Sequence, residues 1–357
     1  MTADTSICCY PEEREFAPGG CPRIKMKGTE NVILLDFDAA PLRGKPVSRA
    51  VLHMRETESN LMVRRVGVST VAVPWVEGSG GSYDARGGAC FLRPASGAEW
   101  AGPGSDFLGA VWGRGGTFWA QAVAARGADG WWTVPLDGRF LEACAAGLSF
   151  GLAVSDDNGQ TMNIARELMP KANFSNNFFF AREQSGAAPW LEAEMDPEPG
   201  RRAAPAPSTA PERIEVAVLP RPAGADGRAG GADASWANPA ADVLGYRVKL
   251  SAAGKPASAL PRWQMPAVPA PGARALTLLG GLPPGAGLLV EVEAIGRGGR
   301  VVGAGRGAGF ASAALPPAVP LVLHPVSTAA GAPPMTKSAA VWAIPDGCKA
   351  NPISGNA

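Results

Sequence analysis

The sequence predicts an all-β protein made of antiparallel sandwich or jelly-roll domains. Short segments carry apolar side chains at every second position, which is the period of a β-strand with one buried face. Clusters of Gly, Pro, Asp and Asn separate these segments, and helical patterning is nearly absent. Many short strands without long intervening helices favour antiparallel layers over a parallel α/β sheet.

Strand patterns fill the first 195 residues. The clearest runs from Leu148 to Val154, where the alternation predicts a strand with one buried face. A short helical turn is predicted at residues 139–146. Further strands are predicted at residues 32–38, 50–54, 63–73, 131–136, 177–182 and 191–195.

Charge and hydropathy argue against two classes of partner. The chain has 33 Lys and Arg against 32 Asp and Glu, a formal net charge of +1, so no global field attracts nucleic acid or an anionic membrane. No apolar run approaches the roughly 20 residues that cross a bilayer, and membrane insertion is not expected. We expect a soluble monomer.

Two Pro-rich stretches divide the chain. Residues 196–212, DPEPGRRAAPAPSTAPE, hold too much Pro for a helix or a central strand and predict a semi-extended linker. The second stretch lies near residues 312–339. The predicted organisation is a domain at 1–195, the linker, a domain at 213–313, and residues 314–357 as linker and the start of a truncated further domain. A disordered tail is the alternative for the last residues.

The six cysteines have no metal-type pair spacing. A disulfide from Cys8 or Cys9 to Cys21 and buried free thiols are both open at this stage.

Catalytic machinery is not expected within the chain. It has two histidines, and neither has a plausible catalytic neighbour in sequence. His53 is predicted to point away from the buried face of Leu52 and Met54, and His324 lies in the second Pro-rich stretch. Residues 147–151, GLSFG, match G-x-S-x-G, but a nucleophile elbow needs a strand, a turn and then a helix, and Ser149 is predicted inside a continuing strand.

The glycine-rich run at 296–309 has no G-x-G-x-x-G in a strand-to-helix context. It predicts a hairpin or a loose edge.

The turn at 155–160, SDDNGQ, concentrates oxygen ligands of the kind that Ca²⁺ needs. The candidate metal ligands are Asp156, Asp157 and Asn158, and Asp36 and Asp38 could add carboxylates. The alternative is a plain turn, since Asp, Asn and Gly are common turn formers for backbone reasons alone.

The first region resembles the DNRLRE-type domains. The resemblance rests on LLDFD at 34–38, VSRAVLHM at 47–54, WVEG at 75–78, FARE at 180–183 and PWL at 189–191. It implies a jelly-roll module of the kind found on exported bacterial polysaccharide-active enzymes and surface proteins, some classed as carbohydrate-binding modules. A Gly/Ser stretch at 78–82 stands where the family has a Trp-rich turn.

The second region is similar to a fibronectin type III domain. Trp236 matches its core Trp, residues 246–248 its third strand, and residues 279–285 the turn before the strand at 290–294. Leu288 stands where such domains often carry a corner Tyr. Long loops are expected at 221–235 and 253–274.

Exposed aromatic rings and nearby Arg are the groups with which carbohydrate modules bind sugars. Trp112, Arg114 and Trp119, in WGRGGTFW, are the preferred candidates because the segment is loop-like. Trp131 joins them, since Trp131 and Trp132 must point to opposite faces of a strand. The alternative is that these rings, with Trp100, fill cores.

The sequence thus predicts a non-catalytic recognition and spacer region of an exported modular protein, extracellular or on the cell surface. It would bind polysaccharide, acidic polysaccharide included, and position a missing catalytic domain such as a glycoside hydrolase, with Ca²⁺ as the one cofactor considered. The alternative is a structural cell-surface or matrix protein whose β-domains make protein contacts.

Overall fold

The structure is a computed structural model. The residues it describes are 1–28, 30–57, 63, 65–156, 176–196, 210–221, 230–252 and 254–313. Met1–Leu315 forms one compact unit, and the second unit, Pro316–Ala357, lies outside the described residues together with His324 and Cys348.

Strands dominate the described residues. The first part of the chain contains β1 (Ala3–Cys8), β2 (Arg23–Met26), β3 (Asn31–Asp36), β4 (Val47–Arg55), β5 (Arg65–Thr70), β6 (Trp119–Val123), β7 (Ala125–Arg126), β8 (Trp131–Asp137), α1 (Arg139–Ala145), β9 (Leu152–Asp156), β10 (Asn177–Phe180) and β11 (Trp190–Met195). The second part contains β12 (Glu212–Arg213), β13 (Val216–Pro220), β14 (Ala232–Ala237), β15 (Gly245–Ala252), β16 (Ser258–Ala259), β17 (Arg274–Leu279), β18 (Gly287–Ile295) and β19 (Val301–Phe310).

The first sandwich consists of two antiparallel sheets. Their strand orders are β1-β3-β9-β5-β6 and β11-β4-β8-β7. A two-stranded ribbon of β2 and β10 lies beside the end of β4. Alternate residues of facing strands form the core, with Ile33 and Val154 on one side and Leu52 and Val134 on the other. The all-β sandwich prediction is therefore confirmed, and each predicted strand and the helical turn overlap an observed element.

Strand β9 differs from its prediction in two ways. It begins at Leu152 rather than Leu148, and it is buried on both faces. Leu152 faces the core between the sheets, while Ala153 packs against a second cluster that includes Trp100. The prediction of one exposed face is wrong because the long connection at 71–111 folds over the outer side of this sheet.

The second sandwich packs a five-stranded sheet, β12-β19-β18-β15-β16, on a three-stranded sheet, β13-β14-β17. Trp236 and Tyr246 are fully buried at its centre, with ring centroids 5.1 Å apart in an edge-to-face arrangement. Leu288, in place of a corner Tyr, is 4% exposed within the same core. The loop predicted at 221–235 is wrong in its last residues, since β14 begins at Ala232.

The glycine-rich run forms β19, which lies between β12 and β18 in its sheet. A Cβ on Gly305 would lie 1.9 Å from the carbonyl oxygen of Ile214, and one on Gly307 would lie 2.1 Å from that of Val216. Alternate glycines therefore let the chain of the opposite sheet cross very close to β19. The hairpin prediction is confirmed by the pairing of β18 with β19, and the loose-edge alternative is wrong.

A buried ion pair links the two sandwiches. The Glu142 carboxylate on α1 is fully buried and accepts hydrogen bonds from Arg297 Nε at 2.6 Å and from the N–H of Gly298 at 2.7 Å. It also accepts the N–H of Val47 in the first sandwich at 2.7 Å. Leu148 and Ile295 pack beside this contact.

No disulfide joins the cysteines that the structure describes; Cys8 and Cys21 are buried thiols, in line with the second of the two alternatives. Within the described part of the chain, no helix has the length and hydropathy to cross a membrane.

Candidate functional site: an aromatic shelf

A shallow pocket of about 560 Å³ lies on the outer face of the sheet β11-β4-β8-β7. We call it the aromatic shelf. Its main lining side chains are those of His53, Arg126, Asp129, Trp131, Thr133 and Trp190.

Strand register brings the shelf together. Trp190 of β11 pairs with His53 of β4, and His53 pairs with Thr133 of β8, so the three form one row across the sheet. Leu52 and Met54 are buried in the core, and His53 between them must point outward. The sequence-based prediction for the direction of His53 is thus confirmed.

Two stacked rings form the floor of the shelf. The His53 and Trp190 rings are parallel within 4°, with centroids 3.7 Å apart. The Nε2 atom of His53 lies 3.2 Å from Glu192 Oε2. Trp190 remains 44% exposed, so its outer surface is open to a ligand.

Trp131 forms an aromatic wall beside this floor. It is half-buried on the outer face, whereas Trp132 is 5% exposed in the core, which confirms that the two neighbours point to opposite sides. The Asp129 carboxylate accepts the N–H of Trp131 at 3.2 Å. This bond fixes the turn from which β8 starts.

The rim of the shelf is held by an ion pair. Arg126 Nε donates to both carboxylate oxygens of Glu56 at 2.9 Å, and Trp132 Nε1 donates to Glu56 Oε2 at 2.8 Å. The Glu56 side chain is 6% exposed. Its hydrogen bonds from Arg126 lower the pKa of Glu56 below its ordinary value, so the carboxylate stays charged and keeps Arg126 in place.

The shelf offers flat apolar rings beside groups that can hydrogen-bond. Aromatic rings present flat apolar faces, on which the C–H face of a sugar ring stacks. Imidazole, hydroxyl and carboxylate groups at its edge can exchange hydrogen bonds with sugar hydroxyls.

The predicted binding residues are not all brought together. Trp131 lines the shelf. Trp119 is 50% exposed on β6, which belongs to the other sheet, and it is outside the shelf lining. Trp100 is fully buried, so the core alternative holds for that ring.

Trp112 and Arg114 belong to a segment that packs against the second sandwich. The Trp112 ring meets Phe107 edge to face, with centroids 5.7 Å apart. A Cβ on Gly115 would lie 2.7 Å from Trp263 Cα of the second sandwich. The glycines of this segment therefore allow a close approach between the sandwiches. The segment is a loop, as predicted, and Arg114 in it is exposed.

The predicted Ca²⁺ site is described in part. Asp156 ends β9 as a buried residue, and its Oδ2 accepts Asn177 Nδ2 at 3.0 Å; Asp157 and Asn158 lie outside the described residues. Asp36 is at the opposite end of the sheet, since Leu35 pairs with Leu152 and the strands are antiparallel. Asp38 Oδ1 accepts the N–H of Ala40 at 3.0 Å instead. No group of three or more potential metal ligands occurs among the described residues.

Ser149 has a structural role in the turn between α1 and β9. Its Oγ donates to the carbonyl of Gly151 at 2.7 Å and accepts the N–H of Val71 at 2.9 Å. The order is helix, turn, strand, the reverse of a nucleophile elbow. The prediction that Ser149 lies within a strand is wrong.

Sequence reasoning missed Trp190, His53, Arg126 and Asp129 as a group. Trp190 directly precedes the strand predicted at 191–195 and is the first residue of β11, so extending the alternation by one residue could have marked it as outward-facing. Its stacking on His53 depends on the pairing of β11 with β4, which are more than a hundred residues apart in the chain.

Comparison of the chain with protein-family models finds no match, and a search of curated proteins finds no match either.

Proposed function

We propose that this chain is a non-catalytic recognition region that binds polysaccharide on the aromatic shelf. The observation that carries the proposal is the stacked pair of His53 and Trp190 beside Trp131, on an outer sheet face with polar groups at its edge. Such a flat aromatic platform suits sugar rings, which need stacking contacts and hydrogen bonds over a shallow, extended surface.

Two features of the described residues support a role in binding rather than in catalysis. His53 is engaged by Trp190 on one side and by Glu192 at its Nε2 atom. Ser149, the one residue in a hydrolase-like motif, is 5% exposed and bonded to backbone groups. The spacer role is supported by the contact between the sandwiches, which holds the shelf and the end of β19 within one compact unit. Export, and the positioning of a catalytic domain, remain parts of the proposal.

Affinity gel electrophoresis of the purified chain against a panel of neutral and acidic polysaccharides tests the proposal. We expect retention by at least one polysaccharide. Trp190→Ala should weaken retention by about tenfold or more, because we expect a sugar ring stacked on Trp190 to contribute as much as a nucleic-acid base stacked on an aromatic side chain, ~1–3 kcal/mol.

Trp119→Ala is the matched control. Trp119 is as exposed as Trp190 but is outside the shelf, so its removal should leave retention unchanged. Loss of retention in Trp119→Ala together with normal retention in Trp190→Ala would move the site to the segment first favoured by the sequence.

A second candidate function is a structural one, with the β-domains making protein contacts. Leu219, Leu276 and Leu278 are 64%, 49% and 55% exposed. Leu219 and Leu278 both pair with Asp233, so they share one outer face of the sheet β13-β14-β17. Sedimentation of the chain with and without Leu276→Ser tests whether this face drives self-association.

A further inference from the structure

The face that carries the shelf continues past β4 onto the β2-β10 ribbon. An antiparallel bridge pairs Glu56, just after β4, with Phe179 of β10. The N–H of Thr57 donates to the carbonyl of Phe178 at 3.0 Å, as this register requires. Strand β10 is thus a lateral neighbour of the end of β4.

One row of side chains crosses this joined surface. Arg23 pairs with Phe180, the bridge register sets Phe180 beside Arg55, and Arg55 pairs with Trp131 of the shelf. Three steps between neighbouring strands separate Arg23 from Trp131, a distance of about 14 Å.

Strand alternation fixes the direction of this row. Ile24, Met54 and Phe179 are fully buried in the core of the first sandwich. Their neighbours Arg23, Arg55 and Phe180 therefore point to the outer face, the same face as Trp131.

Three cations follow one another on this side of the sheet, and we call Arg23, Lys25 and Arg55 the cationic strip. Arg23 is exposed, Arg55 is half-buried, and Lys25 is 9% exposed. Among the described residues, neither Arg23 nor Arg55 has a carboxylate within salt-bridge distance. Lys25 differs from the two arginines, because its Nζ donates to the hydroxyl of Tyr83 at 3.1 Å and forms an ion pair with Glu13 Oε2 at 3.8 Å.

A pocket of about 400 Å³ opens at the far end of the strip, lined by Arg23, Lys25, Tyr83 and Phe178 among others. The Arg23 guanidinium lies 4.2 Å from the centre of the Phe178 ring. This contact positions the guanidinium without neutralising it, so its N–H groups remain available for an anion.

We infer that the cationic strip binds carboxylate groups of an acidic polysaccharide whose sugar rings lie on the aromatic shelf. The inference rests on the proposed function and names its ligand class. Guanidinium groups match carboxylates in geometry and donate paired hydrogen bonds to them, whereas neutral sugars would leave Arg23 and Arg55 without an anionic partner.

The test compares two probes that differ in the carboxylate alone: oligogalacturonate, and the same oligomer with its carboxyl groups reduced to alcohols. In isothermal titration calorimetry, the acidic oligomer should bind at least about tenfold more tightly than the reduced oligomer. Added salt should reduce this difference in affinity, because it screens the charges. Arg23→Gln and Arg55→Gln should each weaken binding of the acidic oligomer by about tenfold and leave binding of the reduced oligomer unchanged.

Arg49→Gln is the control for net charge. Arg49 is an exposed residue of β4, the strand of Arg55, but it lies at the other end of that strand, opposite Asp137 and Glu194 in the register. Its variant should bind like the parent chain. Circular dichroism establishes whether each variant is folded. If Arg55→Gln does not fold, the test rests on Arg23→Gln, because Arg23 is exposed.

The outcomes separate this inference from the proposed function. Equal affinity for the two oligomers, or tighter binding of a sulfated dextran than of oligogalacturonate, would overturn the carboxylate site while leaving a polysaccharide-binding shelf in place. Binding of no polysaccharide at all would overturn both.

Discussion

At the scale of single residues, the aromatic shelf depends on side chains that hydrogen bonds from neighbouring residues hold in place. Glu56 is the central one, since it holds Arg126 at the rim and Trp132 in the core beneath Trp131. A platform set in advance loses little side-chain freedom when a ligand binds, which favours affinity. Of the shelf residues, the sequence could predict Trp131, because neighbouring tryptophans in a strand must face opposite ways.

Asp4 is a second residue whose environment has a measurable effect. It is fully buried on β1; its Oδ2 accepts the N–H of Arg182 at 2.7 Å, and its Oδ1 has no hydrogen-bond partner among the described residues. Burial raises the pKa of Asp4 from 3.8 to about 7. The folded state therefore prefers the neutral acid, and the free energy of unfolding should fall as pH rises from about 4 to about 7.

We predict that Asp4→Asn removes this loss. The amide keeps an oxygen for the N–H of Arg182 and cannot ionise. Urea unfolding should find the variant close to the parent chain at pH 4 and more stable by ~2–4 kcal/mol at pH 8. The same stability difference at both pH values would contradict the assignment.

At the scale of elements, the strands of the first sandwich follow from alternation, but their burial does not. The alternation around β9 predicted one solvent-exposed face, yet Ala153 and Ser155 on that face are buried as well. Their small side chains leave room for the segment that begins at residue 71 and packs over this face of β9. No local sequence pattern in β9 predicts that such a segment covers it. The same limit applies to β19, whose glycines indicate close packing once the crossing chain at Ile214 is known.

The main structural contribution of helix α1 is the buried carboxylate of Glu142. Glu142 accepts bonds from Val47, Arg297 and Gly298, so it joins both sandwiches. We predict that Glu142→Gln lowers the free energy of unfolding by about 3 kcal/mol, because the charge of Arg297 then loses its buried partner. Urea unfolding measures the change.

Glu194→Gln supplies the comparison for that measurement. Glu194 is exposed on β11, and its replacement should shift stability by no more than about 0.5 kcal/mol. Equal effects of the two substitutions would show that the contact between the sandwiches does not stabilise the fold.

At the scale of the whole molecule, two sandwiches form one compact unit, and the aromatic shelf lies on an outer sheet face of the first sandwich. The all-β class was predictable because strand periodicity is local in sequence. The shelf was not, because His53, Trp131 and Trp190 come from three strands whose order is set by packing of the core. The segment at 112–116, which looks like a binding loop in sequence, instead contacts Trp263.

A glycan array probed with the full chain and with a Trp131→Ala/Trp190→Ala double variant tests the central claim most directly. The account predicts that the parent chain binds one or more polysaccharides and that the folded double variant binds none of them. Equal binding by the two proteins, or no binding by the parent chain to any acidic or neutral glycan, would contradict it.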